Sequence, residues 1–319
     1  MAGYTHYAFR ELLRFFGGVD LIATEMISAR SFVELDIRGA DLPNRLWGIK
    51  EERRPLAVQI WDNNPDTLEE FARRLAEEYK VSVIDLNFGC PAKQIAGKSA
   101  SGSFLLQFPE RIGDLVNRVV KAANGVPVTA KIRLGKTRDT INAADVAQAV
   151  EDAGADGLTV HGRTAADMYR GKADWEEIAK IKPKLKKIRL IGNGDITTVE
   201  EAVFRLQSYP VDGIMIGRGC VTEPWIFRQI RQTLNGERAD TKPAGEQIYR
   251  IIAGQFSVLN RQFKESVALA LLRKMCSRYS DGHTGARKFR NALCSAKTSE
   301  AFLKTVQDFF CNGVSLSEK

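Results

Sequence analysis

The chain has 319 residues, of which 44% are hydrophobic and 27% are charged, as in ordinary globular proteins. This length allows one large α/β domain and a smaller one, and no apolar run approaches the ~20 residues that span a bilayer. The net charge is +8, and residues 241–319 alone contain 13 basic and 6 acidic residues. Such a localised positive charge favours a polyanionic partner, nucleic acid above all, with a solvated basic surface as the alternative.

Short apolar runs rich in Val and Ile predict seven strands. They begin near residues 19, 55, 81, 126, 155, 188 and 211. Their spacings of 23 to 45 residues leave room for one crossover helix between successive strands. Because the runs show little polar alternation, we expect a parallel sheet that is buried on both faces.

Apolar residues at helical spacing fill the gaps between these strands. In one gap, Leu68, Phe71 and Leu75 share a face, and in another Gly154 is placed to end a helix. Repeated β-α units over about 230 residues predict an α/β fold of the (β/α)8 TIM-barrel type, with a doubly wound sheet as the alternative. A barrel needs eight strands, and we expect the first to be missing at the N-terminus because of a misassigned start or a trimmed gene.

The pattern changes after about residue 234, where strand signals stop. Ile248, Ile252, Phe256 and Leu259 follow helical spacing, and similar patterns continue towards the carboxyl end. We therefore predict a barrel domain over residues 1–234 and a small, basic helical bundle over residues 241–319.

The predicted strands end in polar residues or glycines, and function in such barrels lies at the carboxyl ends of strands. These ends comprise Gln59, Asn87, Cys90, Lys131, Arg133, His161, Arg163, Asn193, Gly194, Asp195, Gly217, Arg218 and Gly219. The glycine turns after the last two strands favour a phosphate site. Lys131 and Arg133 fall on one face, which favours an inward cation facing an anionic ligand over an outward lysine paired with a helix carboxylate.

Cys90 lies where an apolar strand breaks into a long loop rich in Gly and Ser. Cysteines are often buried for packing alone, but the strand end, Gly89 and this loop favour a functional thiol. The five cysteines lack CxxC spacing and there are only three histidines, so we expect neither a disulfide framework nor a metal site. Residues 1–14 have no apolar signal region, and we expect a reducing cytoplasm.

Six segments in chain order resemble the signatures of the tRNA-dihydrouridine synthase family. They are MAGYTHYAFRELL, DLNFGCPAKQI, VTAKIRLG, LTVHGRT, GNGDI and IMIGRG. The resemblance runs from residue 1 to about residue 227, and continues weakly through LRKMCSRY and ARKFRNAL. Any one segment alone would also fit other FMN barrels, such as the dihydroorotate dehydrogenases.

The resemblance implies that the chain reduces uridine to 5,6-dihydrouridine in tRNA, using FMN and NADPH. It implies that Cys90 protonates C5 of the uracil while reduced flavin supplies hydride to C6, and that Asn87 and Arg133 contact the substrate. A thiol with an ordinary pKa of ~8.5 is protonated at neutral pH and can donate. The implied FMN contacts are Met1, Ala2, Gln59, Lys131, His161, Asn193, Gly194, Asp195, Gly217 and Arg218.

The same resemblance implies that the basic helical domain holds tRNA, and we expect a cytoplasmic monomer. Two alternatives remain open. One is an FMN-dependent reductase of a free pyrimidine, of the dihydroorotate type, and the other is a catalytically impaired tRNA-binding homologue. The sequence does not specify which uridine is modified, nor how the tRNA docks.

Overall fold

A computed structural model describes residues 1–40 and 44–312. Contacts divide the chain into two compact units. The sheet unit is Asp20–Gly217, and the helical unit joins Met1–Val19 to Arg218–Lys319. The predicted boundary between residues 234 and 241 therefore differs from this division, because helices on both sides of it pack together in the helical unit.

All strands lie in the sheet unit. They are β1 (Ile22–Ala23), β2 (Ile27–Ser28), β3 (Leu56–Trp61), β4 (Val83–Asn87), β5 (Val128–Arg133), β6 (Gly157–His161), β7 (Arg189–Asn193) and β8 (Gly213–Met215). Every pairing is parallel, in the order β1-β3-β4-β5-β6-β7-β8, and β2 also pairs with β3.

The seven predicted strands are confirmed, and the first consists of two short pieces that share one position beside β3. Within residues 1–40 and 44–312, β1 and β8 do not pair with each other. The sheet is therefore a TIM-barrel-like, open arrangement of seven strand positions.

Helices follow the strands and also form the carboxyl-terminal region. They are α1 (Tyr7–Phe16), α2 (Ala29–Ile37), α3 (Pro65–Glu77), α4 (Pro109–Ala122), α5 (Ala143–Asp152), α6 (Trp175–Ala179), α7 (Val199–Ser208), α8 (Arg218–Thr222), α9 (Ile226–Leu234), α10 (Glu246–Asn260), α11 (Glu265–Tyr279), α12 (Ala286–Ser295) and α13 (Ser299–Phe310). In that same described part of the chain, no helix is long and apolar enough to cross a membrane.

Helix α3 shows why these segments are helical. The Asn64 side chain accepts hydrogen bonds from the first free backbone N–H groups, and Pro65 occupies the first turn, where its missing N–H costs nothing. Leu68, Phe71 and Leu75 are fully buried. The helix packs between α2 and α4 and covers the outer face of β3.

The helical unit has its own aromatic core. Helix α10 packs against α1, α11 and α13, and α11 packs against α8 and α12. The Trp225 ring lies 5.8 Å from Phe16 and 6.5 Å from Tyr279, and Phe289 stacks on Phe309 at 4.1 Å. Through these contacts, the first helix of the chain belongs to the same unit as the last four helices.

Candidate active site

Polar side chains cover one face of the sheet, in contrast to the strands without polar alternation expected from the sequence. In β5, Val128, Ala130 and Ile132 are buried towards the helices, and polar residues alternate with them. Parallel register sets the polar residues of neighbouring strands side by side, for example Asn87 beside Lys131. This polar inner face comprises Gln59, Asp85, Asn87, Thr129, Lys131, Arg133, Thr159, His161 and Asn193.

The Asn87 side chain holds the turn that follows β4. Its Oδ1 accepts hydrogen bonds from the backbone N–H groups of Gly89 at 3.1 Å and Cys90 at 2.9 Å. Its Nδ2 donates to Oε1 of Gln59 at 2.8 Å and to Sδ of Met26 at 3.7 Å. The protein therefore uses every hydrogen-bonding position of this amide. A uracil contact would require one of these bonds to be exchanged, and that contact stays a prediction.

Asp85 is a buried carboxyl group that sequence reasoning missed. It accepts hydrogen bonds from Nε2 of Gln59 and Oγ1 of Thr129, both at 2.6 Å. Burial raises the pKa of Asp85, and the bonds from Thr129 and Gln59 and the charge of Lys131 oppose that shift. Asp85 fixes the orientation of the Gln59 amide, and Gln59 in turn fixes Asn87. The available signal was its position two residues before Asn87, hence on the same face of the strand.

Cys90 is half-buried at the start of a loop that folds back onto it. The loop makes a π-helical turn over Lys93–Lys98 and returns as a 3-10 helix over Gly102–Gln107. There the Ser103 N–H donates to the Cys90 carbonyl at 3.0 Å. Gly102 has a φ of +55°, and a Cβ there would lie 2.7 Å from the same carbonyl oxygen. Glycine is therefore needed at position 102 for the loop to pack against Cys90.

The remaining cysteines lie in the helical unit, away from these polar side chains in the sequence. Cys220 and Cys276 are buried, Cys294 is exposed and Cys311 is half-buried. Burial raises the pKa of the Cys220 thiol to about 12 and raises that of Cys276 as well. Such thiols stay protonated and behave as small apolar side chains.

Arg133 is buried and joins the Cys90 turn to a second loop. Its Nε donates to the Gly89 carbonyl at 2.9 Å. Its Nη1 donates to the carbonyls of Thr164 at 2.9 Å and Met168 at 2.8 Å. The prediction that Lys131 and Arg133 share a face is confirmed by their alternation in β5. The bonds of Arg133 make it a support for backbone, and its contact with substrate stays a prediction.

Lys131 places an ammonium group on the polar inner face. Its Nζ donates to Oδ1 of Asn193 at 3.1 Å, and Nδ2 of Asn193 donates to the Met215 carbonyl at 2.8 Å. Burial above all, and then the charge of Arg133, lower the pKa of Lys131 to about 8, against the opposing influence of Asp85 and Cys90. A half-buried cation beside a neutral amide suits an electron-rich or anionic cofactor such as FMN, and the contact of Lys131 with FMN stays a prediction.

The turn after β7 is tightly packed. Gly194 has a φ of +127°, and a Cβ there would lie 2.6 Å from Cβ of Ala173 and 3.0 Å from Cδ2 of His161. Oδ2 of Asp195 accepts hydrogen bonds from Nη2 of Arg163 at 2.8 Å and from the Ala173 N–H at 2.7 Å. Nη1 of Arg163 also lies 3.3 Å from Nε2 of His161. Arg163 thus offsets the carboxylate charge that would otherwise repel a phosphate at this turn.

Four other predicted FMN contacts lie outside this group. Gly217 ends the sheet unit after β8, whereas Met1, Ala2 and Arg218 belong to the helical unit. Arg218 begins α8, and the amino group of Met1 donates to Oγ1 of Thr5 at 3.1 Å. Their contribution to cofactor binding stays a prediction.

The chain is similar to known proteins over nearly its whole length. A family model described as dihydrouridine synthase matches residues 1–313. The tRNA-dihydrouridine synthase B of Pseudomonas aeruginosa is 35% identical, over 97% of this chain and 91% of that protein. The tRNA-dihydrouridine synthase B of Vibrio cholerae is also 35% identical, over 98% of this chain and 94% of that protein.

A more distant relative agrees with these. The probable tRNA-dihydrouridine synthase of Aquifex aeolicus is 29% identical, over 97% of this chain and 93% of that protein. The family match covers the polar inner face, the Cys90 turn and the helical unit together. The chain belongs to the dihydrouridine synthase family.

Proposed function

We propose that this chain is a tRNA-dihydrouridine synthase, which reduces the C5=C6 bond of uridines in tRNA with FMN and NADPH. The observation that carries the proposal is the position of Cys90. It is half-buried at the carboxyl end of β4, and two hydrogen bonds from its turn to Asn87 fix it beside the polar inner face. The names of relatives that match over 90% or more of their length support tRNA as the substrate.

The residues that would hold FMN are those with polar groups or glycine backbone around the Lys131 cation. In the sheet unit they are Gln59, Lys131, His161, Asn193, Gly194, Asp195 and Gly217, whereas Met1, Ala2 and Arg218 of the helical unit are contacts that the family resemblance implies. When bound, reduced FMN would supply the hydride for C6 of the uracil, and NADPH would reduce the oxidised FMN again. The Cys90 thiol donates its proton to C5 and regains one from solvent. Asn87 and Arg133 hold the backbone of the Cys90 turn so that the thiol meets the base in one orientation.

We also propose that the sheet unit catalyses the reaction and that the helical unit binds tRNA. The excess of basic residues after residue 241 supports this division. A monomer in the cytoplasm, where tRNA is modified, agrees with that role.

The proposal is tested by incubating the purified chain with FMN, NADPH and tRNA that lacks dihydrouridine. We expect dihydrouridine to form, detected by mass spectrometry of nucleosides, only when all three are present. Parallel reactions contain uracil or orotate in place of tRNA. Reduction of a free pyrimidine without reduction of tRNA would favour the dihydroorotate-type alternative. Binding of tRNA with no reduction of either substrate would favour the impaired homologue.

The affinity for FMN should depend on pH through Lys131, whose pKa of about 8 makes it cationic below that pH. We expect affinity to fall as pH rises above about 8, by up to tenfold per pH unit. The free protein should respond in the opposite direction. Lys131 binds a proton less tightly in the folded protein than in the unfolded chain. The free energy of unfolding should therefore rise as the pH increases from about 8 to 10.5.

Fluorescence quenching of FMN and thermal unfolding of the free protein, between pH 6.5 and 9.5, measure these two trends. Lys131→Arg is the control because a guanidinium keeps its charge throughout this range. Identical pH profiles for the wild type and Lys131→Arg would contradict the assignment.

A further inference from the structure

The helical unit contains a concave basic pocket of ≈ 420 Å³. Its lining comprises Tyr4, Arg273, Lys274, Ser277, Arg278, Asp281 and Arg290. Four of these residues are basic and one is acidic, so the pocket is strongly positive. It is formed by α11, the turn that follows α11, the middle of α12 and the loop before α1, all within one unit.

The basic residues of α11 are arranged on one face of that helix. Lys274 and Arg278 are four residues apart and both are exposed. Like charges at this spacing weaken a helix. An anion bound between the two side chains would reduce that repulsion. The pair is therefore suited to binding an anion.

Two arginines of the pocket share one carboxylate. Nη1 of Arg290 lies 2.9 Å from Oδ1 of Asp281, and Nη1 of Arg278 lies 3.8 Å from Oδ2. One negative charge thus stands between two guanidinium groups. It orients both side chains and leaves a net positive charge, and each guanidinium has further N–H groups that can meet a phosphate.

The rest of the pocket is also held in place. Arg273 donates from Nε to the Leu293 carbonyl at 3.0 Å and from Nη2 to the Ala296 carbonyl at 2.6 Å. Nζ of Lys274 lies 3.2 Å from the position that a Cβ on Gly3 would take, so the ammonium rests against the loop that carries Tyr4. These contacts pre-arrange two cations before any ligand binds.

A neighbouring histidine responds to the same positive charge. His6 caps α1 by accepting a hydrogen bond from the Phe9 N–H at its Nδ1. Burial above all, and then the charges of Arg10 and Lys274, lower the pKa of His6 to about 4. His6 is therefore neutral near pH 7, and the pocket keeps its charge from the lysine and arginines alone.

We propose that this pocket binds a phosphodiester of the tRNA backbone, with the Tyr4 ring beside the adjoining base. The inference rests on the proposed function and names where on the helical unit the substrate is held. Lysine and arginine forks are the usual partners of RNA phosphates, and an aromatic ring stacks on unpaired bases. The pocket thus selects an unpaired nucleotide of a folded RNA over a free anion.

The test compares two double variants of the full chain that each remove two positive charges from the helical unit. The double variant Lys274→Ala, Arg278→Ala removes two positive charges from the lining of the pocket. The double variant Arg287→Ala, Lys297→Ala removes two exposed positive charges outside it. We expect the first to weaken tRNA binding about tenfold at moderate salt and to make the slope of log K against log salt shallower by about 1.5 to 2. The second should leave the slope unchanged.

Tyr4 provides a second, independent readout. Tyr4→Ala should weaken tRNA binding several-fold, and Tyr4→Phe should keep the wild-type affinity because it retains the ring. The proposal for the pocket would be overturned, and the proposed function would stand, in either of two cases while the wild type still forms dihydrouridine. In the first, both double variants lose the same affinity for tRNA. In the second, the pocket variant keeps the wild-type affinity. A wild type that neither binds tRNA nor forms dihydrouridine would overturn both.

Discussion

Replacement of Cys90 by alanine is expected to slow the formation of dihydrouridine about 10²–10⁴-fold, the usual contribution of a positioned general acid. The variant loses the proposed proton donor for C5 and little else, because the side chain is half-buried and the turn is held through backbone N–H groups. It should bind FMN as the wild type does. Single-turnover reactions with reduced enzyme and excess tRNA measure the rate directly.

The matched control is Cys294→Ala, which removes an exposed thiol from the helical unit. It should keep the wild-type rate. Cys90 is not the acid if Cys90→Ala also keeps that rate, and a general sensitivity to thiol loss is indicated if both variants are slow.

The second large effect is expected for Arg133→Lys. Lysine keeps the charge but cannot make the three-way contact to the carbonyls of Gly89, Thr164 and Met168. Two buried carbonyls without partners should cost about 2–4 kcal/mol of the free energy of unfolding. The turnover rate should fall at least about tenfold, because Gly89 and Cys90 lose their support. Denaturant unfolding and single-turnover kinetics report the two quantities.

Arg138→Lys serves as the control, since Arg138 is a largely exposed arginine paired with Asp167. Its stability and rate should change little. The outcome that would contradict a positioning role is a stable, active Arg133→Lys beside an inactive Arg133→Met. Charge alone would then matter, as in the predicted direct contact with substrate.

The fold was largely predictable from local patterns. The seven apolar runs correspond to the seven strand positions. Strands that pack against helices carry Val, Ile and Leu on their outer face, and these residues make the runs visible in the sequence. The division of the chain was not predictable in this way. Helix α1 packs on α10, more than two hundred residues later, and no local periodicity encodes which distant helix covers an apolar face.

The site was predictable in part. Lys131 and Arg133 were assigned to one face from their spacing, and β5 confirms this. The polar alternation of the inner face was not predicted, because Val, Ile and Leu dominate these runs and single polar residues such as Asp85 give only a weak period of two. The partners of each polar group come from other strands, as Asn193 does for Lys131, and sequence spacing does not contain that information.

The chain of hydrogen bonds between the Cys90 turn and Asp85 has a direction. The Cys90 N–H donates to Asn87, and Asn87 donates to Gln59. Gln59 then donates to the carboxyl group of Asp85. The backbone N–H groups of Gly89 and Cys90 can only donate, so reversing the Asn87 amide would set its own N–H groups against them. The backbone donors at one end of the row and the Asp85 carboxyl at the other therefore favour the same orientation of both amides, and a change of side chain at position 85 would reach the Cys90 turn through that row.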